Sequence, residues 1–183
     1  MKYLLVIFFL IPLIVTSYEL FILENINDPI KYIYTVTGVI STVLLFFTIC
    51  LSMIKKWVNL IKFRKLIGVF GFFYAFLHFL NFIVLDAQLD ISFIIKQTID
   101  KPFIYLGMIA FFIVLFMAIT STKTLFKKFN NYHKLIYLAL ILITIHFVMA
   151  QKSLTFIQFV YIIVILAIGY SKLLQQIIRR NRV

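Results

Sequence analysis

The chain has 183 residues, of which 64% are hydrophobic and 18% aromatic, and a soluble domain of this length cannot bury that much apolar side chain, so lipid is the expected solvent. A net charge of +12 would suggest nucleic acid in a soluble protein, but here the charges fall only in the gaps between apolar runs. With no basic face and no RNA-binding or zinc-finger pattern, nucleic-acid binding is set aside.

Six apolar segments follow one another along the chain, near residues 3–23, 33–54, 66–85, 103–119, 135–150 and 154–174. Most approach the ~20 residues that cross a hydrocarbon core. The first, opening Lys2-Tyr3 and closing near Thr16 and Ser17, also resembles a secretory signal peptide, whose cleavage would leave five spans in the same orientation. Cys50 lies deep in the second run with no partner for a disulfide or a CxxC metal motif, and reads as a small buried hydrophobe. Between the third and fourth runs, the connection from Asp86 to Pro102 mixes Leu89, Ile91, Phe93, Ile94 and Ile95 with polar positions. Either a short helix in the membrane interface or an ordered loop over the bundle mouth fits that pattern. The fifth run is short and draws on amphipathic flanks, Tyr132 on one side and Gln151 on the other.

The expected fold is therefore all-α, a polytopic membrane bundle of about six helices forming one domain over residues 1–183. No soluble domain, Gly-rich phosphate loop or repeat of solenoid length is visible. Assigning the N-terminus to the cytoplasm places fourteen of the eighteen basic residues inside and leaves only Lys31, Lys96, Lys101 and Lys152 outside. All six acidic residues, Glu19, Glu24, Asp28, Asp86, Asp90 and Asp100, then fall outside as well, and both termini are cytoplasmic.

Few side chains within the spans can carry chemistry, and the three histidines stand out. His78 and His146 lie about a dozen residues into the third and fifth spans, which run in the same direction, so the two imidazoles share a depth. Each alone is accounted for by a hydrogen bond to a neighbouring helix. As a pair they could hold a haem iron from both sides within the bundle. Zinc is the rival metal, but it prefers a third or fourth protein ligand, and no intramembrane carboxylate or thiol stands nearby. The aromatic run Phe70, Phe72, Phe73, Tyr74 and Phe76 before His78 suits a haem pocket and ordinary lipid-facing filler equally.

His133 precedes His146 by thirteen residues, a rise of about 20 Å with the rings about 140° apart on a straight helix, so a second ligand site there requires a bend or a non-helical start. Fourteen residues before His78, only about 40° off its face, stands Arg64. Arginine is a poor iron ligand, which leaves Arg64 as a positive-inside anchor or as a partner for haem propionates. No Ser-His-Asp order, HExxH or buried carboxylate pair is present, and no mid-membrane acid supports proton pumping.

From about Thr37 to Lys172 the sequence resembles the MsrQ (YedZ) family of haem-binding membrane subunits, within the ferric-reductase-like transmembrane superfamily. The matching stretches are Arg64-Lys65-Leu66-Ile67-Gly68 running to Leu77-His78, Lys101-Pro102-Phe103 with Gly107, Ala118-Ile119-Thr120-Ser121-Thr122, His133 with Leu135 and Tyr137, and Ile145-His146-Phe147. The resemblance implies a b-type haem subunit of the bacterial inner membrane, an electron-transfer component rather than the catalytic subunit. It would pass electrons from the quinol pool or a flavin reductase to a periplasmic molybdopterin-containing, MsrP-like partner that reduces methionine sulfoxide in damaged proteins. One or two haems are implied, with FMN also known in the family, and the family's functional histidines map onto His78, His133 and His146. The chain departs from the family in carrying Lys65 where a second arginine is usual, in a shorter connection from Lys123 to Tyr132, and in Asn130-Asn131-Tyr132 before His133. Relative to four-histidine members of the superfamily, one ligand is missing. Two alternatives stay open on the residues: a transmembrane ferric or quinone reductase with another acceptor, and a non-redox scaffold or transporter whose histidines only pack helices.

Overall fold

The computed structural model describes residues 2–23, 26–54, 60–151 and 155–180, and every regular element among them is helical. In chain order these are α1 (Lys2–Tyr18), continued by a π-helical turn over Glu19–Leu23, then α2 (Pro29–Ile54) and α3 (Arg64–Leu80), which widens into a second π-helical segment over Asn81–Asp86. There follow α4 (Ile91–Asp100), α5 (Pro102–Ile119), the short α6 (Lys123–Phe129), a 3-10 turn over Asn130–Lys134, α7 (Leu135–Ala150) and α8 (Phe156–Arg180). Five helical stretches are long and apolar enough to cross a bilayer: Lys2–Leu23, Pro29–Ser52, Arg64–Asp86, Pro102–Ile119 and Lys123–Ala150. The sixth expected span coincides with α8, within which the apolar stretch Gln158–Ser171 is the shortest of the set; its predicted start at Leu154 lies outside the described residues. The protein is thus an all-α, multi-pass membrane bundle.

Two helix pairs, α2 with α3 and α5 with α7, make the most extensive contacts, and α3 against α5 joins them. Leu45, Phe46 and Ile49 of α2 meet Val114 of α5, Ile136, Ala139 and Leu140 of α7 and Ile165 of α8 in one buried cluster. A second cluster gathers Phe9 of α1, Leu44 and Leu51 of α2, Phe63, and Ile67 and Tyr74 of α3. Helix α2 therefore contributes to both clusters. The outward faces stay apolar: Leu4, Ile7, Ile11 and Ile14 of α1 are all exposed, at the spacing of one helical face. A soluble monomer would not show such a face to water, whereas hydrocarbon makes it an ordinary surface.

Threonine hydroxyls within the spans turn back on their own helices, as Thr42 donates to the carbonyl of Gly38 at 2.7 Å and Thr144 to that of Leu140 at 2.7 Å. Neither hydroxyl then meets lipid unpaired. Between helices, several polar ties lie at the end of the bundle rich in acids, while Ser41 of α2 donates to the carbonyl of Gly71 of α3 at 2.9 Å nearer mid-span. Tyr32 bonds to Glu19, Tyr34 donates to Asp86 at 3.2 Å, and Asn81 donates through Nδ2 to the carbonyl of Ile30 at 3.0 Å. At that same end α4 is a formed helix, its N-terminus capped by the Asp90 carboxylate, which accepts from the backbone N–H of Ser92 and Phe93. The connection from Asp86 to Pro102 therefore contains a helix, which packs against α5.

Candidate functional site

His78, near the end of α3, and His146, near the end of α7, come from helices in different pairs, and the packing of those pairs brings their imidazoles close together. The ring centres are 6.1 Å apart and the ring planes lie at 83° to one another. Each ring is tied at Nδ1. His146 donates from Nδ1 to the carbonyl of Phe103, on α5, at 2.6 Å. A carbonyl oxygen only accepts, so a proton sits on Nδ1, and in the neutral ring Nε2 is the nitrogen that keeps its lone pair. His78 places Nδ1 3.2 Å from the carbonyl of Tyr34, on α2, with the Thr37 hydroxyl at 3.4 Å. Thr37 spends its own proton on the carbonyl of Ile33 at 2.5 Å, so its oxygen also faces the imidazole as an acceptor. Neither Nε2 has a hydrogen-bond partner among the described residues.

An imidazole whose other nitrogen donates to a carbonyl is the usual form of a metal-bound histidine. A metal–nitrogen bond of about 2 Å on each side, with each ring centre roughly 1 Å further out, puts two opposed ligand rings about 6 Å apart. The observed separation therefore suits two axial ligands of one iron. It suits zinc poorly, because no group of three or more His, Cys, Asp or Glu side chains gathers among the described residues.

Aromatic rings line the surroundings. Tyr34 meets His78 edge-on at 5.1 Å between centres, Phe103 lies 5.9 Å from His146, and Phe79 of α3 stacks on Phe111 of α5 at 4.2 Å. Three residues beyond His78, Asn81 is only 3% exposed and its Oδ1 accepts from no group among the described residues. That leaves an uncommitted acceptor on the same helical face as His78.

His133 is not part of this pair. It lies in the 3-10 turn at the start of α7, at the opposite end of that helix from His146. Its Nε2 is 3.0 Å from the Thr120 hydroxyl, whose proton goes to the carbonyl of Phe116 at 2.8 Å, so the imidazole is the donor. The Phe126 ring covers it edge-on at 4.8 Å. Arg64 is exposed at the start of α3, close enough to His133 for the two to interact electrostatically. His133 and Arg64 thus share the end of the bundle that carries Lys65, Lys123, Lys127, Lys128 and Lys134, away from His78 and His146.

Reading the sequence alone misses the two carbonyls, of Tyr34 and Phe103, and the hydroxyls of Thr37 and Thr120. A signal for the carbonyls exists: each belongs to an aromatic residue followed four positions later by glycine, Tyr34 with Gly38 and Phe103 with Gly107.

The class these features define is a multi-pass helical membrane bundle with two imidazoles brought together between its helix pairs. Comparison with known proteins narrows the class. The family model described as ferric reductase like transmembrane component matches residues 37–144, and the chain belongs to that family. A protein-methionine-sulfoxide reductase heme-binding subunit MsrQ from Brucella ovis is 29% identical over 161 residues, covering 85% of this chain and 73% of that protein. The subunit of the same description from Brucella anthropi is 33% identical over 132 residues, covering 69% of this chain and 60% of that protein. No solved structure matches the chain.

Proposed function

We propose that this chain is a haem-b electron-transfer subunit of a bacterial inner membrane, with His78 and His146 as the two axial ligands. The observation that carries the proposal is the pair of imidazoles with centres 6.1 Å apart, each tied to the protein by Nδ1 and without a hydrogen-bond partner at Nε2 among the described residues. Relatives described as heme-binding subunits support it. Bound haem supplies one-electron redox chemistry that no side chain here can supply. The chain's own residues hold the two imidazoles neutral, orient them through the carbonyls of Tyr34 and Phe103, and surround them with aromatic and aliphatic groups that exclude water.

In this reading the acid-rich end of the bundle is periplasmic and the basic end cytoplasmic, following the positive-inside rule. The histidine pair then lies toward the periplasm, where a molybdopterin-containing, MsrP-like partner would take electrons for methionine-sulfoxide repair. The donor is the quinol pool or a flavin reductase. His133 has no second histidine to oppose it, since the sequence holds only three, so the proposal places a bis-histidine haem at one level only and gives Arg64 the role of anchor or propionate partner. It assigns no residue to FMN.

Purification in mild detergent after expression with ample haem tests the central claim. A Soret band with low-spin visible bands and a stoichiometric pyridine haemochrome is expected; a colourless, folded protein would overturn it. Orientation has its own test. In a Cys50→Ala background, Lys96→Cys should react with a membrane-impermeant maleimide in intact spheroplasts, and Lys127→Cys only after permeabilisation. The reverse pattern would invert the assignment.

A further inference from the structure

The two histidines are seated by the same device, used once in each helix pair. A Cβ built on Gly38 of α2 would lie 3.1 Å from both Cε1 and Nδ1 of His78. One built on Gly107 of α5 would lie 2.9 Å from the same two atoms of His146. In each case the glycine stands four residues after the aromatic residue whose carbonyl binds the imidazole. The spacing has a physical reason. In an α-helix the carbonyl of one residue points at the N–H of the fourth residue on, so the side chain at that fourth position flanks the carbonyl's remaining lone pair. Glycine there clears a lateral approach, and a flat ring can slide in against bare backbone to reach an oxygen that is already half used.

We propose that Gly38 and Gly107 are positioning residues that, with the carbonyls of Tyr34 and Phe103, fix the rotation of the two imidazoles and hold their planes nearly perpendicular. The inference rests on the assignment of both histidines as ligands of one haem. A ring pressed against helix backbone and bonded at Nδ1 can turn neither about its Cβ–Cγ bond nor away from the carbonyl. The two slots belong to different helix pairs, and the planes they impose meet at 83°. Perpendicular axial imidazoles load two iron d orbitals equally, which leaves orbital angular momentum unquenched, so the ferric form should give a highly anisotropic low-spin resonance rather than an ordinary rhombic one. Potential depends on axial-ligand orientation through the same orbitals.

Two of the other three glycines provide controls, while Gly71 is unsuitable because a Cβ there would lie 3.0 Å from Leu45. A Cβ on Gly68 would make only an ordinary contact, 3.7 Å from Thr48 Cγ2, and one on Gly169 would meet nothing within 4 Å. The experiment uses the full-length protein in detergent, comparing Gly107→Ala, Gly38→Ala, Gly68→Ala and Gly169→Ala by low-temperature electron paramagnetic resonance, redox titration and haem retention. Gly107→Ala, the tighter site, is expected to move the low-spin signal toward the rhombic type and to weaken haem retention about 10–100-fold, as loss of a supporting contact to a ligand histidine does. Gly38→Ala should act in the same direction and less strongly, and both controls should match the wild type. If Gly107→Ala does not accumulate as a folded protein, Gly38→Ala carries the test. Slot variants with the wild-type resonance, potential and retention would overturn the inference while leaving the haem assignment intact, as would controls that shift equally. A wild-type protein without haem would instead remove the ligand assignment beneath it.

Discussion

His146→Ala and His78→Ala are each expected to abolish the bis-histidine spectrum and to weaken haem retention by more than about 100-fold, beyond the effect of losing a supporting contact. Each imidazole has one committed nitrogen and one free, so each contributes a single bond that no neighbour replaces. Among the described residues no group of three or more His, Cys, Asp or Glu side chains supplies a substitute. With one ligand gone, haem that still binds is held from one side and should show a high-spin spectrum. Because a tightly held group stabilises the folded state by mass action, the melting temperature of either variant should also fall toward that of haem-free protein. His133→Ala should leave the low-spin spectrum in place, since that imidazole is a donor to Thr120 at the far end of α7. Optical spectra of the three variants at matched protein concentration check the set. A His78→Ala protein with an unchanged low-spin spectrum would show that the pair is not the ligand set.

Tyr74→Ala should give the largest loss of stability of any single change in the seam between α1, α2 and α3. Tyr74 is 1% exposed, packs with Phe9, Leu44, Leu51 and Ile67, and donates from its hydroxyl to the carbonyl of Phe9 at 2.6 Å. In water, truncating a buried ring forfeits both hydrophobic transfer and packing. In lipid the separated helices remain in an apolar solvent, so only packing and the hydrogen bond are lost. A cost of about 2–4 kcal/mol is expected for Tyr74→Ala and about 1 kcal/mol for Tyr74→Phe. The consequence falls on α1, whose other polar ties to the bundle gather at Tyr32, which bonds to Glu19 in the π-helical turn that continues α1. Unfolding titrations in mixed micelles measure the cost, and limited proteolysis reports the release of α1. Equal stability of the two variants would mean that the ring adds nothing beyond its hydroxyl.

The spans, their order and the split between a basic and an acidic end were legible in the sequence because membrane insertion is governed by one-dimensional quantities. Twenty apolar residues in a row are a span whatever they later pack against, and a charge between two spans has to lie at one surface or the other. His78 and His146 stood out for the same reason: a polar ring within an apolar run is visible without knowledge of its neighbours. The count of residues from each helix start also put the two at one depth. His133 required a break from straight helical geometry to act with them, and the 3-10 turn over Asn130–Lys134 is where α-helical periodicity is interrupted.

What tertiary structure alone decided is how the imidazoles are held. That His78 of α3 and His146 of α7 meet across a joint between two helix pairs cannot be read from hydropathy, because lipid-facing and helix-facing positions are equally apolar in a membrane protein. The partners of the rings are backbone carbonyls, which every residue possesses, and the aromatic-to-glycine spacing that marks them becomes legible only once a ring is seen against it. Gly38 and Gly107 acquire a meaning only once a ring is seen against them. Composition determined that this chain lives in lipid, crosses it several times and carries two matched histidines; the packing of one helix pair against the other determined that those histidines meet, at what angle, and with which nitrogen free.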